Sequence, residues 1–160
     1  MQTSTNWNVL IQGFLSLIWC QESINPKNQG KQVVELLSEF RAKNEGINPL
    51  NIGSMLSAAY LCFMYPQQSE FKKMDFSAVD VSHFNVVQGS SADSKYICRR
   101  IRNSLAHARF EITDNGFVFY DVRPDGSDEF KAEIKIEFFG DFLNNFFFEA
   151  KSQHFHRGVA

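Results

Sequence analysis

The apolar positions of this chain follow a helical period up to about residue 65 and again from 91 to 109, and then switch to a period of two. Residues 4–22 form the first predicted helix. Leu10, Phe14, Leu17 and Ile18 mark one face, with Ile11 and Leu15 widening it, and Thr5 or Asn6 is the candidate cap. Asn25-Pro26 and Gly30 break the chain. A second helix is predicted over 31–43. Val33, Leu36, Leu37 and Phe40 face inward on it, Glu35, Glu39 and Arg41 face water, and Asn44-Glu45-Gly46 closes it with a C-terminal glycine cap. A third helix over 51–65 carries Met55, Leu56, Ala59, Tyr60 and Phe63 as core candidates. Pro66 ends it, because its ring clashes with the preceding turn and it has no N–H to donate. Residues 66–91 show no clean period, and a packed loop with a helical turn near 70–74 is expected there.

The helix over 91–109 is the most strongly patterned. Asp93 or Ser94 supplies a short side-chain oxygen for its first turn. Ile97, Ile101 and Leu105 step by four, with Cys98 and Ala108 beside them. Arg99, Asn103 and His107 step by four on a polar face. Arg102 lies between the two faces, about 140° around the helix from His107 at roughly 100° per residue. Residues 93–109 hold Lys95, Arg99, Arg100, Arg102 and Arg109 against Asp93 alone, a net of +4 in a chain whose net charge is −2. A mildly acidic protein thus concentrates its basic charge beside a His, the side chain suited to moving protons near neutral pH.

Beyond this helix the period of two predicts a small antiparallel hairpin or meander. Phe110 and Ile112 alternate with polar residues, and Asp114-Asn115-Gly116 is a hairpin signal because Asn and Gly tolerate positive φ. A strand over 117–122 follows, then a turn at Arg123-Pro124-Asp125-Gly126. A strand over 132–138 places Ile134, Ile136 and Phe138 on one face. A last helix over 140–151 has Phe142, Leu143, Phe146 and Phe147 apolar. No repeat or linker is visible, so the reading is a single, mainly α domain over 1–152 with a frayed tail at 153–160.

Composition narrows the function classes. The 17 Phe, crowded toward the C-terminus, point to a large aromatic core, an oligomer interface, or both. A pI near 6.1 argues against coating nucleic acid by global charge and leaves a local phosphate site open. Cys20, Cys62 and Cys98 are scattered, odd in number and without a C-x-x-C pair, which favours buried thiols in a reducing cytoplasm over a disulfide or zinc framework. No basic leader precedes an apolar run, and residues 7–20 are too short and too interrupted by polar residues to span a bilayer.

The chemistry available to the patterned helix is acid–base cleavage of RNA. The 2′-hydroxyl must lose a proton and the leaving 5′-oxygen must gain one, which an imidazole can do. A guanidinium can bind the phosphate and stabilise the charge that builds on it. Arg102-Asn103-Ser104-Leu105-Ala106-His107 resembles the R-x4-6-H signature of HEPN-domain proteins, and the hairpin after it resembles a plasmid-associated bacterial branch of that superfamily. The resemblance implies a HEPN-like helical bundle and a metal-independent endoribonuclease leaving 2′,3′-cyclic phosphate ends. It also implies a toxin-like or defence role, a homodimer with two motifs facing one cleft, and an antitoxin protein as a further partner. Arg102 and His107 would carry catalysis, with Asn103 orienting the His or the phosphate, and no cofactor or metal would be needed. The second functional reading is a non-catalytic HEPN module that binds RNA or a protein partner. The third is a Phe-rich helical interaction protein.

Each candidate has a structural alternative. Arg102 as a surface ion pair and His107 as a C-terminal helix cap would need no substrate. Arg99 and Arg100 are candidate RNA-binding residues or a solvated face, and Tyr96 is a base-stacking platform or a core residue. Asp121 to Glu133 is an acidic stretch containing Asp125-Gly126, but Arg123 and Ala132 stand where a calcium loop needs ligands, so a solvated hairpin turn is expected. His154-x-His156 in the tail and His83 are read as incidental or structural.

Overall fold

The computed structural model describes residues 3–157, with side chains over 8–154. The chain clusters into two compact units, Met1–Ala58 and Ala59–Ala160, a division that falls inside a continuous helix and so leaves no linker in the sequence.

The first unit contains α1 (Thr3–Ser23), a short 3-10 turn (Pro26–Asn28), α2 (Val33–Lys43) and the first half of α3 (Ile52–Met64). The predicted caps Thr5 and Asn6 lie inside α1, and their side chains are outside the described set. Gly13 and Gly53 let α1 and α3 approach closely: a Cβ on Gly53 would collide with the Val9 carbonyl oxygen. Asn51 caps α3 by accepting from the Ser54 N–H at 3.0 Å, and its amide donates to the Gln12 carbonyl at 2.9 Å. On α2, Leu36 and Phe40 are buried and Phe40 meets Trp19 edge-on at 5.3 Å. Val33, expected inward, is exposed, as is Val34 beside it. The turn closing α2 puts the left-handed residue at Glu45, φ +53°, one position before the expected glycine; Gly46 follows at φ +80°, its N–H donating to the Arg41 carbonyl at 2.8 Å.

The second unit holds the rest of α3, α4 (Gln68–Lys73), β1 (Asn85–Gln88), α5 (Ser94–Ala106), β2 (Phe110–Thr113), β3 (Gly116–Val122), β4 (Glu129–Lys135) and α6 (Ile136–Arg157). The strands form one antiparallel sheet in the order β1-β4-β3-β2. The sheet is therefore not confined to the segment after α5. β1, in a stretch read as loop, adds an edge strand paired with β4 through an irregular register. It was invisible because four mostly exposed residues carry no alternation. The predicted strand over 132–138 stops at Lys135. Phe139, Phe142 and Phe146 recur at helical spacing and are all buried, so α6 starts at Ile136. α6 also continues through Arg157, past the expected fraying point. Gln153 anchors that end: its amide donates to the Asp75 carbonyl at 2.6 Å, and its oxygen accepts from the Asp75 N–H at 2.9 Å.

Aromatic packing fills this unit. Phe63, Phe71, Phe117, Phe119, Phe139 and Phe146 are almost wholly enclosed, with Phe63 over Phe146 and Phe117 against Phe139 at 4.4 Å. The phenylalanines are thus largely core, while Phe147 and Phe148 stay exposed. The hairpin joins β2 to β3 where expected, with Thr113 opposite Gly116, but not through positive φ. Gly116 is there for space, since a Cβ would run into the Ile134 carbonyl oxygen on β4. Gly116→Ala should therefore cost about 1–3 kcal/mol in urea unfolding, the usual penalty of overpacking. Unchanged stability would contradict this reading.

Candidate functional site

α5 is set in place at both ends and along one side. Asp93, not Ser94, is its N-cap, accepting from the Tyr96 N–H at 2.8 Å. Ile97, Cys98, Ile101 and Leu105 are buried, and the Ser104 hydroxyl donates to the Tyr120 carbonyl of β3 at 2.6 Å. The helix ends at His107 in a Schellman turn: the Arg109 N–H donates to the Ser104 carbonyl at 2.7 Å and the Ala108 N–H to Leu105 at 3.2 Å. Ala108 takes φ +51° in this turn, where glycine is usual, so the backbone beside His107 stores about 1–2 kcal/mol of strain.

The charged side chains of α5 divide sharply. Arg100 is only 5% exposed. Its Nη1 donates to Asp121 Oδ2 on β3 at 2.6 Å and its Nη2 to Asp128 Oδ2 before β4. The Tyr96 hydroxyl donates to the other oxygen of Asp128 at 3.0 Å, and the Arg100 guanidinium lies over the Tyr96 ring at 5.1 Å. Burial disfavours the ionised form of Asp128, but the Tyr96 and Arg100 hydrogen bonds outweigh it and hold the carboxyl below its ordinary range. Burial likewise opposes charge on Arg100, and the two carboxylates more than restore it. Arg100 and Tyr96, both candidate RNA-binding residues in the sequence, are thus engaged with Asp121 and Asp128 within the protein. Arg99, one step around the helix, is exposed and stays available.

The motif residues point to different surroundings. Arg102 is half-buried with its guanidinium over the Phe71 ring of α4 at 5.3 Å. Among the described residues, its Nε is the buried side-chain polar atom that has no hydrogen-bond partner. Its described neighbour is an aromatic ring, and among the described residues no acid forms the surface ion pair considered from the sequence. Asn103 turns the other way, its amide donating to Asp121 Oδ2 at 3.0 Å. His107 occupies the C-cap position and is exposed. A single α5 therefore brings Asn103 to Asp121 and lays Arg102 over Phe71. A groove of about 780 Å³ lined by Leu61, Tyr65, Met74, Phe146 and Phe147 includes none of the three.

A family model described as HEPN pEK499 p136 matches residues 1–156. The chain belongs to this HEPN family. No curated protein and no solved structure matches it.

In this HEPN chain the motif helix is the one the sequence singled out, and the residues that lock it were missed. Asp121 and Asp128 were read as part of a solvated acidic turn, yet Asp121 is 3% exposed and serves Arg100 and Asn103 together. The signal available was an acidic residue inside an apolar strand, at Asp121 after Phe117-Val118-Phe119. His83 stacks on Phe138 at 4.1 Å, in line with a structural role, whereas the side chain of His156 lies outside the described residues. No described helix is long and apolar enough to cross a membrane.

Two predictions follow from the buried cluster. Arg100→Met strands two carboxylates and should cost about 3–5 kcal/mol, whereas Arg99→Gln should stay within about 0.5 kcal/mol by chemical denaturation. Equal effects would contradict the division. The depressed Asp128 carboxyl contributes fully above its unfolded value near ~3.9, and the contribution is lost as pH falls through the lower folded value. Stability should thus fall with acid below about pH 4, less steeply in Asp128→Asn. Parallel curves for parent and variant would rule this out.

Proposed function

We propose that this HEPN protein is a metal-independent endoribonuclease that acts as a homodimer. The observation that carries the proposal is an Arg102 guanidinium, on the motif helix of a HEPN chain, that no acid among the described residues neutralises. Its charge is left for an acceptor from outside the chain, and a phosphate is the anion a guanidinium fits best. The exposed imidazole of His107, at the end of the same helix, is free to exchange protons with a bound strand.

In the reaction the 2′-oxygen attacks phosphorus as its proton passes to an imidazole. The bond to the 5′-oxygen breaks, that oxygen takes a proton, and a 2′,3′-cyclic phosphate remains. Arg102 offsets the negative charge on the phosphoryl oxygens at the transition state. Asn103, held by Asp121, positions the end of the helix. Because α5 directs Arg102 and His107 to different flanks, each site draws Arg102 from one copy and His107 from the other. Activity against cellular RNA requires restraint, which makes an antitoxin partner and a toxin-like or defence role in the cytoplasm the natural setting.

With EDTA present, the parent should cut single-stranded RNA, and Arg102→Ala and His107→Ala should each lose at least about 100-fold in rate, the scale of a general acid–base group. Mixing the two inactive variants should recover part of the activity. Variants as active as the parent, with folding unchanged, would end the enzyme reading, and a mixture as inactive as its components would end the shared site.

A further inference from the structure

Arg100 is the centre of a longer row of alternating charge. Asp121 Oδ1 lies 3.9 Å from Arg109 Nη1, and Asp128 Oδ2 lies 3.8 Å from Arg123 Nε. The order Arg109, Asp121, Arg100, Asp128, Arg123 places three cations around two acids. The inner three side chains are enclosed, whereas Arg109 and Arg123 have 47% and 59% of their side chains exposed. At 3.8–3.9 Å the outer contacts are electrostatic and not hydrogen bonds, so the guanidinium donors of both remain open to an incoming acceptor. The acids fix where the two arginines lie without using their forks, which reduces the ordering cost of binding. The nearby acid Asp125 is occupied within its own turn, accepting from the Ser127 N–H and hydroxyl.

The row runs along β3 from the end of the motif helix. The Tyr120 N–H donates to the Arg109 carbonyl at 2.9 Å, and Arg123 is three residues further along the chain. At ~3.3 Å per residue that is about 10 Å, or about three nucleotides at a rise of ~3.4 Å. Arg109 is also two residues from His107. We infer that Arg109 and Arg123 form a phosphate-binding rail that leads a single RNA strand to His107. This rests on the ribonuclease reading for its direction, and it replaces Arg100 and Tyr96 with two arginines outside the motif.

The test is fluorescence anisotropy with a labelled ten-nucleotide 2′-O-methyl uridine strand, which binds but cannot be cut by 2′-oxygen attack. The parent, Arg109→Gln, Arg123→Gln, the double variant and Lys135→Gln would be titrated across salt, with circular dichroism to confirm folding. Each arginine variant should bind about tenfold more weakly, and its log–log salt slope should become shallower by about 0.7 per lost phosphate contact. The double variant should lose about twice as much slope, and Arg109→Lys should recover part of the affinity, while Lys135→Gln should match the parent. A double variant that keeps the parent's affinity and slope overturns the rail, as does a parent that does not bind the strand. Loss of binding in the double variant, in a protein that nevertheless cuts no unmodified RNA, would uphold the rail and remove the nuclease reading. Cleavage with normal binding in the double variant would do the reverse.

Discussion

A guanidinium taken out of water must be paired, and the pairing of Arg100 with Asp121 and Asp128 governs the second unit of this protein. The three groups come from α5, β3 and the approach to β4, so satisfying them fixes the helix against the sheet in one rotation. Apolar burial alone would tolerate some turning of α5 about its axis, because Ile97, Cys98, Ile101 and Leu105 span a broad stripe. Hydrogen bonds at 2.6 Å and 3.0 Å to one carboxylate do not. That rotation sends Arg102 toward Phe71, Asn103 toward Asp121 and His107 to solvent.

The functional reading follows from the same constraint. Under the proposed reading, Arg102 and His107, about 140° apart around this fixed helix, act across two copies. Strain sits at the same place: Ala108 holds a left-handed conformation so that Arg109 can return toward β3 directly after His107. The buried acids thus have two consequences. They seat the motif helix, and on their outer sides they hold Arg109 and Arg123 at the surface.

Much of this was legible in the sequence where the signal is local. Ile97, Ile101 and Leu105 announced α5, Pro66 the end of α3, and Asp114-Asn115-Gly116 the hairpin. What failed was non-local. Arg99 and Arg100 are adjacent and of one type, and only about 100° of helix rotation separates solvent from a buried ion cluster. The partners of Arg100 lie 21 and 28 residues further on, in a stretch whose composition reads as an exposed turn. At the β4–α6 junction two periods overlap: Ile134, Ile136 and Phe138 alternate, while Phe139, Phe142 and Phe146 recur helically. Burial of the second set decides the boundary, and burial is a property of the folded chain.

The central claim is that groups on and beside one helix act on a ribose–phosphate link whose own 2′-oxygen is the nucleophile. The most direct measurement is a side-by-side digestion, with metals chelated, of an RNA oligonucleotide and its all-2′-deoxy counterpart. The account predicts that the RNA yields fragments ending in cyclic phosphate and that the deoxy strand stays whole. Cutting of both strands, or of neither, would contradict it.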